Sequence, residues 1–173
     1  MVSPPRRRPR EAPLVAVLVG TDHHRFDRLV AWAADLQYQG AFRVHVQHGA
    51  TPLPPAITGS TMLGPDALAE LLDRADAVVT HAGPGMIMDA REHGHTPIVV
   101  PRDPALGEHV DDHQQRFARF LARSGTIVTA YDATELRARL DLAVLLGHPL
   151  PAHRAASPTL ARFEALVEDL VHR

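Results

Sequence analysis

The stretch DAVVTHAGPGMIMDAREHG, Asp76 to Gly94, decides the fold reading. Asp76 to Thr80 is a short, largely apolar run, the pattern of a buried strand. His81 to Gly85 places two glycines about a proline, so the chain turns sharply there. A helix then opens and stops near Gly94. A strand, a tight glycine turn and a helix in this order make half of a βαβ unit, and such units build parallel sheets.

The alternation continues outward in both directions. Upstream, Pro13 to Gly20 (PLVAVLVG) reads as a buried strand ending in a tight turn. Phe26, Leu29, Val30, Trp32, Ala33 and Leu36 recur at helical spacing before Gly40. Phe42, Val44 and Val46 alternate with polar residues as a second strand. Residues 48–64 are loop with a short third strand near Ile57, and Asp66 to Ala75 is helical. Downstream, Pro97 to Val100 is a strand and Asp103 to Gly107 a loop. Residues 109–124 read as a helix with apolar positions Val110, Phe117, Phe120 and Leu121. Thr126 to Thr129 is the last strand, and residues 133–146 are helical.

The expected fold class is α/β, a single Rossmann-like, doubly wound and mainly parallel sheet. Three segments follow: a disordered, basic, proline-rich leader over 1–13, one folded domain over 14–146, and a loop with an amphipathic helix over 147–173. On that last helix Leu160, Phe163, Leu166, Val167, Leu170 and Val171 make an apolar stripe suited to docking a partner or to packing on the domain. Right-handed crossovers gather the loops that follow strands on one sheet edge, where such folds bind ligands.

Composition closes several mechanisms. The 173 residues are 45% apolar and 22% charged, enough for one domain with a real core. A net charge of −2 gives no footprint for nucleic acid. Cysteine is absent, so there is no thiolate nucleophile or thiolate metal site. All 18 basic residues are arginine, which removes Schiff-base chemistry and the lysine of a Walker A loop. No apolar run approaches the roughly 20 residues that span a bilayer.

Three segments carry chemistry. Gly83 and Gly85 permit close backbone approach ahead of a helix whose free N–H groups favour anions, phosphate above all. Asp89, farther along that helix, has the two acceptor oxygens that a ribose diol needs. Glu108, His109, Asp111, Asp112, His113 and Gln114 crowd polar groups that can read sugar hydroxyls. His109 and His113 stand at metal-ligand spacing. Gly20, Thr21, Asp22, His23 and His24 form a turn after the first strand, where doubly wound folds hold phosphate.

Read together, VLVGT with FDRLV, VQHGAT, ADAVVTHAGPG, and VPR with GEHVDDHQ resemble the C-terminal, donor-binding half of GT-B glycosyltransferases of family 28. The resemblance covers Val15 to about Leu136. It is narrower still to the small catalytic subunits of two-subunit UDP-sugar transferases of lipid-linked glycan and exopolysaccharide synthesis. It implies that Gly20 and Thr21 lie near the donor diphosphate, that His81, Gly83 and Gly85 face the nucleotide, and that Asp89 binds ribose. Asp112, His113 and Gln114 would contact the donor sugar, with Glu108 and His109 in the same motif and Leu63 beside the uracil. Asp89 is shorter than the usual Glu, and Met86 stands where relatives often carry Ser.

The activity implied is inverting transfer from a UDP-sugar to a lipid-linked saccharide acceptor. A membrane-associated subunit would supply the acceptor half and hold the protein at the inner face of the membrane. No metal cofactor is expected, since no Asp-x-Asp pair follows an apolar strand and helix N-termini can stabilise UDP instead. The general base is unassigned, with Asp112, His113 and His24 as local candidates. Two other readings stand beside this one: a nucleotide-sugar-binding module without transferase activity, and a metal protein centred on His109, Asp112 and His113.

Overall fold

The computed structural model describes residues 11–147. Its strands are β1 (Leu14–Leu18), β2 (Arg43–Gln47), β3 (Thr58–Ser60), β4 (Ala77–Thr80), β5 (Ile98–Val99) and β6 (Val128–Thr129). They form one sheet in the order β3-β2-β1-β4-β5-β6, and every neighbouring pair is parallel. The helices are α1 (Asp27–Tyr38), α2 (Pro65–Arg74), α3 (Pro84–Glu92), α4 (His113–Arg123) and α5 (Ala133–Leu146), with a 3-10 turn at Pro104–Leu106. The order reverses between β1 and β4. That switch point opens a crevice at the strand C-termini.

Alternation along β1 builds the layers. Val15, Val17 and Val19 point to one face and join Phe26, Leu29, Val30, Ala33 and Leu36 around α1 and Leu136 and Leu140 of α5. Ala16 and Leu18 point to the other face and pack with Leu72, Ala75, Val78 and Ala90. Farther along that side, Ile87, Val99, Phe117, Ala118, Leu121 and Ile127 fill the space between α3, α4 and the sheet. The central strands are covered on both faces, which is why they read as unbroken apolar runs. Among the described residues no helix is long and apolar enough to cross a membrane.

The sequence reading places every strand and helix, with one correction of consequence. The fourth helix starts at His113, not at residue 109, and Glu108 to Asp112 are loop. Val110, expected on its apolar face, is 75% exposed, and Phe120 is 47% exposed. The cause is local. The Asp111 carboxylate accepts the His113 N–H at 3.0 Å, an Asx turn that starts the helix there. Glu108 is tied down separately, as described below. The apolar stripe from Leu160 to Val171 and nearly all of the 1–13 leader lie outside the described residues.

Helix α1 begins without a capping side chain of its own. Thr51, in the β2–β3 loop and 1% exposed, supplies the cap from a distance: its Oγ1 accepts the Phe26 N–H at 2.9 Å. Thr51→Val keeps the shape and removes the acceptor, leaving a buried N–H unpaired. It should cost about 1–2 kcal/mol, measured by urea denaturation of both proteins.

Candidate functional site

Three loops converge at the switch point. Gly20 ends β1 with φ of +90°, a conformation that favours glycine. A Cβ there would lie 2.4 Å from His81 Nε2, and one at Gly83 would lie 2.1 Å from His81 Cε1. The His81 ring therefore fills the gap between the β1 and β4 turns, and both glycines are required by its presence. Gly49, after β2, comes as close from the other side: a Cβ on it would fall 2.4 Å from the Gly20 carbonyl oxygen.

Gln47 locks this arrangement. Its Oε1 accepts the Gly20 N–H at 3.0 Å, and its Nε2 donates to the Gly20 carbonyl at 3.1 Å and the Thr61 carbonyl at 2.9 Å. The amide grips the glycine through both of its backbone polar groups, so the turn is held before any ligand arrives. Gln47 and Thr51 both belong to the VQHGAT segment, whose visible task in this structure is to support the β1 turn.

Gly85 differs from the other two site glycines. It is exposed, and a Cβ on it would meet nothing within 4 Å. It sits in the first turn of α3, after Gly83 and Pro84. Ile87 N–H is bonded to the Gly83 carbonyl at 3.2 Å, and proline has no N–H. The Gly85 and Met86 N–H groups are therefore the helix donors left open at this terminus. The His81 Nδ1 is buried and has no hydrogen-bond partner. Burial drives the His81 pKa down to about 4, helped by the Arg102 charge, while Asp22 and Gln114 push the other way. His81 is a neutral ring at neutral pH.

Arg102 connects the loops. It is fully buried and follows β5 directly. Its guanidinium donates to the carbonyls of His24 at 2.8 Å, Arg25 at 3.3 Å, Glu108 at 3.1 Å and Val19 at 3.1 Å. It also lies over the Phe26 ring, 4.7 Å from the centroid. Glu108 joins the same frame. Its two oxygens take a bidentate pair from Arg28 at 2.9 and 2.8 Å, and one also accepts the Asp103 N–H at 2.8 Å. Glu108 is 5% exposed, so its carboxylate holds the loop together and is not presented to a ligand. Gln114 is also 5% exposed, and its Oε1 faces the Arg102 N–H at 3.4 Å.

The remaining candidates lie around the mouth. Thr21 is exposed beside Gly20. Asp22 accepts from the His24 N–H at 2.8 Å and faces its ring Nδ1 at 2.7 Å. Burial acts to raise the Asp22 pKa, but these bonds and the Arg102 charge outweigh it and hold it at about 2. The Asp89 carboxylate makes no hydrogen bond among the described residues, while its carbonyl accepts the His93 N–H at 3.2 Å. Burial, with Glu92 nearby, raises its pKa. Leu63 is half-buried in the β3–α2 loop of the same sheet edge.

His109 has a side chain only 11% exposed, and its ring lies 4.6 Å from that of His113. The grouping of His109, Asp112 and His113 needs a correction. The Asp112 carboxylate turns back to Arg116 at 3.1 Å, and Asp111 is the acid that stands with the two histidines. The loop conformation of residues 108–112 is the reason: helical spacing does not apply there.

Sequence reasoning assigned no individual role to Arg102, Gln47 or Arg28. A single arginine directly after an apolar strand, in PIVVPR, was the available signal for Arg102.

Two measurements follow from this geometry. Arg102→Met leaves four carbonyls, two of them buried, without this donor and should cost about 3 kcal/mol in urea denaturation. His81 binds a proton more weakly folded than unfolded, so its contribution to stability is lost as pH falls from about 6.5 toward 4. His81→Gln should flatten the denaturation profile across that window.

The comparisons agree with this architecture. The family model for the glycosyltransferase family 28 C-terminal domain matches residues 14–170. No curated protein matches the chain in sequence. The glycosyltransferase of kitacinnamycin is 18% identical with a TM-score of 0.57, over 96% of this chain and 41% of that one. CalG4, the calicheamicin glycosyltransferase, gives 18% and 0.54, over 96% and 46%. The chain thus spans less than half the length of these two. The ALG13 solution structure gives 19% identity and a TM-score of 0.55, over 94% of this chain and 98% of that one. The likeness to these structures is one of fold, a parallel α/β sheet flanked by helices, and on the family match the chain belongs to the glycosyltransferase family 28 C-terminal domain family.

Proposed function

We propose that the protein is the donor-binding catalytic subunit of a UDP-sugar glycosyltransferase, working with a second subunit that holds the acceptor. The observation that carries this reading is the notch beside Gly85. An open space lies against the N-terminus of α3, where two N–H groups point outward and the helix dipole favours negative charge. The turn at Gly20 stands across from it, pinned by Gln47. A diphosphate seated there would have backbone donors on two sides.

The rest of the site fits a nucleotide sugar by its chemistry. The unpartnered carboxylate of Asp89 on α3 suits a ribose diol, which would repay its partial burial with two hydrogen bonds. Leu63 offers an apolar contact for the base. Asp112 and His113 are exposed at the start of α4, where they can meet the sugar, while Gln114 and Glu108 hold the loop behind them. In the reaction, an acceptor hydroxyl would form a bond to the anomeric carbon from the face opposite the diphosphate. The bond from that carbon to the UDP oxygen would break, with inversion. The negative charge developing on UDP would be met by the α3 and β1-turn N–H groups, with no step assigned to a metal. The acceptor proton would pass to a base on the other subunit or to His24, whose Nδ1 is oriented by Asp22.

One sheet builds one wall of such a site. Transfer needs a second wall, and a membrane-associated subunit presenting a lipid-linked saccharide would provide it and bring the protein to the membrane surface.

The test is calorimetric titration with UDP and UDP-sugars in the presence of EDTA, alone and with a co-expressed partner subunit. Gly85→Val adds bulk into open space, so the variant should fold normally and lose UDP affinity by roughly a hundredfold or more. Asp89→Ala should weaken UDP about tenfold, the worth of one charge-assisted hydrogen bond. Normal UDP binding by Gly85→Val would refute the site. Binding without sugar transfer in the presence of the partner would favour a non-catalytic module.

A further inference from the structure

The lip of the crevice carries a second constellation, in which the proposed transfer uses His24 and His113 and leaves His109 and Asp111 without a role. Four histidine rings form a chain across the β1–α1 loop and the start of α4. His23 and His24 are 4.0 Å apart between centroids, His24 and His109 are 5.6 Å apart, and His109 and His113 are 4.6 Å apart. Carboxylates stand among them. Two groups have ligand atoms within 4.8 Å of one another: Asp22 with His23 and His24, and His109 with Asp111 and His113.

The first group is committed elsewhere. Asp22 is bonded to the His24 backbone and ring and lies in the field of the buried Arg102 guanidinium, which repels a cation. Among the described residues no arginine bonds a side chain of the second group, although the Arg102 guanidinium donates to the neighbouring Glu108 carbonyl, and the group's geometry is of another kind. His109 Nδ1 lies 3.7 Å from Asp111 Oδ1. That is too long for a hydrogen bond. It is close to the roughly 3.4 Å that separates two ligand atoms on one tetrahedral zinc ion, given metal–ligand distances near 2.1 Å. The only hydrogen bond at that nitrogen is a long one, from the Asp111 N–H at 3.4 Å. His113 Nδ1 already touches the Asp111 carboxylate.

The centroid separation of 4.6 Å between His109 and His113 is near the roughly 5 Å expected for two imidazoles on one ion. His109 is held by its surroundings at 11% exposure, whereas Asp111 and His113 are 55% and 52% exposed. The anchor is buried, and the other two ligands are exposed beside it, already joined to each other through the Asp111 carboxylate.

We propose that His109, Asp111 and His113 form a binding site for a divalent transition metal of the zinc class, with an open fourth position toward the crevice. The ion would tie the loop ahead of α4 to the start of that helix and place a positive charge at the mouth. This assignment does not depend on nucleotide binding, and its test uses none.

Untagged full-length protein, freed of metal, is titrated with Co2+ and Zn2+ at pH 7. The expected result is one equivalent of Co2+ with visible absorption bands of a tetrahedral site, displaced by Zn2+. His113→Ala and Asp111→Asn change exposed side chains and should each weaken Zn2+ binding about tenfold or more, with unchanged thermal unfolding of the metal-free protein. His45→Ala, on β2 and outside the cluster, should bind as the unaltered protein does. Absence of tetrahedral Co2+ bands overturns the proposal, and so does Zn2+ affinity unchanged in both His113→Ala and Asp111→Asn. The failure of UDP to bind would leave these titrations untouched, so the two proposals fail separately.

Discussion

The structure turns on one buried cation. Arg102 leaves the end of β5 and spends its guanidinium on backbone carbonyls from the β1–α1 loop and from the segment ahead of α4. A buried charge is expensive unless its donors are satisfied. Here four carbonyls, the Phe26 ring and two nearby carboxylates, Asp22 and Glu108, offset the cost. Nε alone has no partner. Because the bonds run to main chain, they fix where two loops lie, largely independent of the side chains those loops carry. The mouth of the crevice is thus positioned by an interaction that does not face it.

A division of labour follows. Gln47, Thr51, Arg28, Glu108 and Arg102 form a frame behind the loops, and their polar atoms bond within it, the Arg102 Nε excepted. Gly20, Gly83 and Gly49 are small because the frame and the His81 ring press against them. Gly85, Asp89, Asp112 and His113 are the positions with chemistry left to offer. Motif residues therefore fall into two classes that a sequence string does not separate. Glu108 and His109 are neighbours in GEHVDDHQ, yet one is locked into an ion pair and the other faces the mouth.

His81 shows how such a frame shapes electrostatics. Its ring is wedged between two glycine turns, neutral and short of one partner. A neutral imidazole beside the proposed diphosphate position would add no charge of its own, so the attraction there would come from helix and backbone N–H groups.

The sequence by itself determined the α/β class, the parallel sheet, the element order and the loops that meet at the crevice. Apolar period, glycine punctuation and strand–helix alternation are local properties, and a doubly wound sheet leaves few other ways to satisfy them. Glycines at residues 20, 83 and 85 were legible as turn residues for the same reason. Only the tertiary structure decided which glycine opens a space and which merely makes room for His81. It also moved the start of α4 to His113, since an Asx turn and a distant ion pair overrode the helical spacing of residues 109–112. The roles of Arg102 and Gln47 rest on partners 83 and 27 residues away in the chain. Contacts of that range exist only once the sheet has brought the loops together.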